Sequence, residues 1–128
     1  MLRRALVLKQ HSVNQYGSAE TLSKLGTAHR LQGRLADAVA CQRAARSLME
    51  QVADVSGQCL TANDLAITLR ELGMDEEARQ LNEEALAKTI RIGDRYEQAR
   101  ALAGLGLHDQ AVSLFEELGV CDLSALSR

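Results

Sequence analysis

Sliding the chain against itself by 40 residues brings small and turn-forming residues into register. Leu25-Gly26 falls on Leu65-Ala66 and Leu105-Gly106, and Ala5 falls on Ala45 and Ala85. Val13-Asn14, Ala53-Asp54 and Gly93-Asp94 coincide, as do Gly33 with Gly73 and Ala38 with Ala78. Tyr16-Gly17, Ser56-Gly57 and Tyr96-Glu97 align as well. A fixed period of this size marks stacked supersecondary units, none of which buries its apolar face alone.

Each unit holds two helical stretches. In the first, Leu22, Leu25, Gly26 and His29 share a face at i, i+3, i+4 and i+7, as Ala62, Leu65, Ala66 and Leu69 do one unit later. The second stretch carries Leu35, Ala38, Val39, Ala45, Leu48, Met49 and Val52, and its counterpart Ala78, Leu81, Ala85, Leu86 and Ile92. The apolar residues are mostly Ala and Leu, proline is absent, and the aromatics are Tyr16, Tyr96 and Phe115. That composition favours helix throughout, and no β-branched/polar alternation suggests a strand. Between Arg70 and Arg79, Gly73 closes one helix in the left-handed conformation, and Asp75, Glu76 and Glu77 suit the positive end of the next. So short a gap makes the pair antiparallel. Gly33 has the same role in the preceding unit. Asp54 and Asp94 are expected N-caps, Asp94 with Glu97 forming a capping box.

The resulting expectation is an all-α chain of about seven helices in one domain. Residues 1–12 form an unpaired second helix, 17–53 and 57–93 two complete hairpins, 95–119 a shortened third, and 120–128 a tail. The shortening shows in the spacing. Leu72-Gly73 to Ala78 matches Leu105-Gly106 to Ala111 at 33 residues, so seven are missing. Seven residues are close to two turns, which leaves the apolar face pointing the same way.

The order Leu25-Gly26, Gly33, Ala38, Ala45 resembles the tetratricopeptide repeat. The 40-residue period, with Gly93-Asp94 in the long linker, is similar to its extended form, found in spindle-orientation scaffolds and in actinobacterial transcription regulators and signalling ATPases. Asp94-Arg95-Tyr96 and His108-Asp109-Gln110-Ala111 are most similar to the actinobacterial members. The resemblance implies a right-handed superhelical solenoid that binds proteins or peptides, as a scaffold or as the sensory part of a regulatory system. Leu22, His29, Gln42, Ala62, Leu69 and Asn82 stand where the family has large residues, so looser packing is expected. Ser23, Thr27 and Asp64 depart from the Lys and Asn clamp of members that grip chaperone tails, so that adaptor role is not implied.

Other functional classes find little support. Fifteen basic against seventeen acidic residues give a net charge of −2 without a basic tract, unlike a nucleic-acid binder. No segment reaches the length of a membrane span, and the default compartment is the cytoplasm. Cys41, Cys59 and Cys121 fit neither a disulfide framework nor a zinc motif. His11, His29 and His108 lack a metal-binding neighbourhood, with His29 expected buried and satisfied. Gly104-Leu105-Gly106 lacks the strand and lysine of a phosphate loop. No enzyme activity and no cofactor are expected.

Stacked hairpins present a concave face lined by the first helix of every pair. The candidate groove residues are Glu20, Ser23, Thr27 and Arg30, then Leu60, Asn63, Ile67 and Arg70, then Arg100, Ala103 and Leu107. Arg30, Arg70 and Arg100 suit the carboxylates of an acidic peptide, or else are ordinary solvated residues. Residues 30–46 hold Arg30, Arg34, Arg43 and Arg46 against Asp37, and residues 75–84 hold Asp75, Glu76, Glu77, Glu83 and Glu84 against Arg79; the neighbouring second helices attract along the convex side, or both are ordinary solvated faces. The alternative to a binding module is a structural fragment of a longer array, or a homo-oligomer docked through its terminal helices.

Overall fold

Three corners of the same design set the architecture. Gly33, Gly73 and Gly106 have φ of 79°, 80° and 81°, the left-handed region that glycine enters without steric cost. Each closes a helix in the same way. The glycine N–H reaches the carbonyl three residues back, at 2.9–3.0 Å, and the following N–H reaches the carbonyl five back, at 2.8–2.9 Å.

The computed structural model describes the backbone of residues 2–119 and the side chains of residues 14–119. Six α-helices run in order: α1 Leu2–Leu31, α2 Leu35–Gln51, α3 Val55–Glu71, α4 Asp75–Ile92, α5 Arg95–Gly104 and α6 His108–Glu117. No strand occurs among the described residues. Consecutive helices pack as the pairs α1/α2, α3/α4 and α5/α6, with α3 and α5 also in contact, giving a helical solenoid.

Alanines hold the layers close. Ala38, Ala45, Ala78, Ala99 and Ala111 are fully buried. One apolar cluster joins Leu65, Ala66 and Leu69 of α3 to Ala78, Leu81 and Ala85 of α4 and Ala101 of α5. A second joins Leu102 and Ala103 of α5 to Ala111, Leu114 and Phe115 of α6. Phe115 meets Tyr96 edge-on with ring centroids 5.7 Å apart. α5 has 10 residues where α3 has 17, the seven-residue difference seen in the spacing.

Two expectations require correction. Residues 2–12 are not a separate helix, because α1 runs unbroken from Leu2 to Leu31; the six helices of the described residues otherwise agree with the expected about seven. The matching turns carry Ala53 at φ 57° and Gly93 at φ 75°, and a β-branched residue such as Val13 resists that region. The capping box at Asp94 is also only half formed. Asp94 accepts the Glu97 N–H at 3.1 Å, but the Asp94 N–H bonds to Thr89 O and the Glu97 side chain turns inward. Asp54 caps α3 by accepting the Gly57 N–H at 2.9 Å. The 120–128 tail, with Cys121, lies outside the described residues.

Candidate functional site

On the side formed by the first helices of the pairs, a cleft of about 470 Å³ opens between α1, α3 and the start of α5. Tyr16, Glu20, Ser23 and Lys24 of α1 form one wall, and Met49, Ser56, Gly57 and Leu60 the other. The capping residues Asp54 and Asp94 stand at its end with Glu97. Tyr16 and Leu60 are exposed apolar surface within it. The Glu20 carboxylate, hydrogen-bonded to Tyr16, pushes that phenol above its ordinary pKa, with burial and Asp54 adding to the effect. Asp94 is shared between the Glu97 N–H and the hydroxyl of Ser56.

Behind the cleft runs a buried polar chain that the periodicity did not reveal. Arg70 donates to Asn82 Oδ1, and Asn82 donates to Asn63 Oδ1 at 2.9 Å. Asn63 donates to both the backbone and the carboxylate of Glu97 at 3.1 Å. Arg100 closes the chain, bonding Glu97 at 2.9 Å and Asp64 at 2.6 Å. Burial raises the Glu97 carboxyl, against the opposing pull of Arg100 and Asn63. Burial also works against the Arg100 charge, yet Asp64 and Glu97 together hold its pKa above the ordinary value.

These contacts redistribute the expected groove residues. Glu20, Ser23 and Leu60 line the cleft. Thr27 and Ile67 are half-buried beyond it, with Thr27 bonded to Ser23 O at 3.4 Å. Asn63 and Ala103 are interior, at 2% and 3% exposure. Leu107 is exposed but lies in the α5–α6 corner, because α5 stops at Gly104. All three arginines are engaged within the protein. Arg30 pairs with Glu71 at 3.1 Å, Arg70 with Asn82, and Arg100 with Asp64 and Glu97. An acidic peptide would have to displace those partners. Sequence reasoning missed Tyr16, Lys24, Met49, Asp54, Ser56, Gly57, Asp94 and Glu97; the caps at helix starts were its one pointer to the cleft end.

Other candidates resolve simply. Burial pushes the Cys59 thiol up to about 11, so it stays protonated at neutral pH. Among the described residues no group of three or more His, Cys, Asp or Glu is placed to hold a metal ion, and no helix is long and apolar enough to cross a membrane. His29 differs from its expected satisfied state, since its Nδ1 is buried without a hydrogen-bond partner in the protein.

The family model for the tetratricopeptide repeat matches residues 17–89. The chain belongs to that family. Proteins built on this repeat bind other proteins or peptides and are typically non-enzymatic. No curated protein and no solved structure matches the chain.

Proposed function

We propose that this tetratricopeptide repeat protein captures a partner through the α1/α3/α5 cleft, gripping an extended segment that carries a basic side chain next to an apolar one. The observation that carries this reading is the pairing of exposed Tyr16 and Leu60 with the Glu20, Asp54 and Asp94 carboxylates, opposed only by Lys24 among the lining residues. The apolar surfaces supply contact area, and the carboxylates favour a cation and steer its approach. Internal pairing of Arg30, Arg70 and Arg100 argues against an acidic ligand. A module of this kind serves a scaffold or a regulatory system by partner capture alone.

A peptide array of basic, neutral and acidic segments of equal length tests the reading. Basic segments bearing one large apolar residue should bind, and Glu20→Lys should weaken them by about tenfold, roughly 1.4 kcal/mol. Preference for acidic segments, or indifference to Glu20→Lys, would overturn it.

A further inference from the structure

A different strip of α1, away from the cleft, is uncovered. Gly17, Ser18, Thr21, Leu25 and Ala28 are all exposed. Leu25 is 45% exposed, and no neighbouring atom lies within 4 Å of where a Gly17 Cβ would stand. Forty residues on, the same strip of α3 is sealed. A Cβ on Gly57 would meet Met49 Sδ of α2 at 2.6 Å, and Thr61 and Leu65 are 1% and 0% exposed. Thr21 and Thr61 make the same bond to the carbonyls of Gly17 and Gly57, at 3.0 and 2.9 Å, so only the cover differs. One unit further, Glu97 and Ala101 of α5 are 4% and 0% exposed. The cover in each case is the preceding helix, α2 on α3 and α4 on α5.

The segment that would cover α1 by this rule is present in the sequence. Residues 2–12 align with 42–52 and 82–92, with Ala5 on Ala45 and Ala85 and Leu8 on Leu48. Asn14 aligns with the N-caps Asp54 and Asp94 and is itself a good N-cap residue. Yet the segment continues α1 as one unbroken helix, so it does not fold back onto the strip of its own helix. Position 13 accounts for this, because the turn needs a positive φ that Gly93 adopts freely, Ala53 adopts at some cost, and valine resists.

We propose that two copies of the chain exchange these segments. Residues 2–12 of one protomer lie antiparallel along the Gly17, Thr21 and Leu25 strip of the other, and reciprocally, about a two-fold axis near residue 13. A turn straightened into helix is a low-cost route to such a closed dimer. The exchange reproduces between molecules the contact that α2 makes with α3 within one.

Sedimentation of the full chain from low to high micromolar tests this, with circular dichroism as the check on folding. The expected species has twice the 13.9 kDa chain mass. Thr21→Arg should return it to monomer. Val13→Gly with Asn14→Asp, which copies the Gly93-Asp94 turn, should let the segment fold back and weaken the dimer by about tenfold or more at unchanged helicity. A wild-type monomer at high micromolar overturns the proposal, as does a dimer indifferent to Thr21→Arg. A dimer broken by Thr21→Arg but untouched by the Val13→Gly, Asn14→Asp pair overturns the exchange in favour of simple docking. Should Thr21→Arg fail to fold, the turn variant still decides.

Discussion

Positions 42 and 82 are equivalent, separated by one unit on the second helices of consecutive hairpins, yet they have opposite surroundings. Asn82, 1% exposed, donates to Asn63 and accepts from Arg70. Gln42, also 1% exposed, has no hydrogen-bond partner in the protein on either amide atom. The positions that serve Asn82 on α3 correspond on α1 to Ser23 and Arg30, and Arg30 turns instead to Glu71 of the next hairpin. A buried amide stabilises only when the whole chain of partners is present; alone, it leaves desolvated groups unmatched.

Breaking the complete network should have the largest effect. Arg100→Leu strands the Asp64 and Glu97 carboxylates beside a lost partner, with side-chain exposures of only 17% and 6%. Loss of about 3–5 kcal/mol in urea unfolding is expected. Asn82→Leu should cost about 2–3 kcal/mol by unpairing Asn63 and Arg70. Gln42→Leu should do the reverse, stabilising by about 1–2 kcal/mol, because it removes unmatched polar atoms at little change in volume. Equal signs at the two positions would end the contrast. A smaller effect tests the linkers: Ala53→Gly should stabilise by about 0.5–1 kcal/mol, since Ala53 takes φ 57° where its counterpart is Gly93.

The finest test is a pH slope. Because the Glu97 carboxyl is raised in the folded state by burial, its contribution is fully present below its unfolded value and is lost as pH rises through the folded one. Wild type should therefore gain stability relative to Glu97→Gln as pH falls towards 4.5, the ordinary glutamate value. Parallel stability profiles for the two proteins across that range would exclude Glu97 as the source.

Much of the fold was legible because its signals are local. Gly33 and Gly73 announce corners, Asp54 and Asp94 announce helix starts, and the missing seven residues announce a short α5. The cleft was less legible. Periodicity put Glu20, Ser23 and Leu60 on the side where the cleft opens, but it gives a face and not a neighbour. Asn63 is interior because α5 packs on α3, and Arg30 and Arg100 are spent on partners 41 and 36 residues away. No helical period reports such distances. Position 13 shows a different limit, since the turn residue at Asn14 and the resistance of Val13 point opposite ways.

On the outer side, Arg43 reaches Glu77 at 2.7 Å and Arg46 reaches Glu84 at 2.9 Å, joining α2 to α4 across the back of α3. Such exposed links contribute little free energy, about 0–1 kcal/mol each, and salt weakens them. Two such links side by side tie the second helices of consecutive hairpins to each other directly, so high salt should slacken that outer seam while the apolar contacts between layers stay in place.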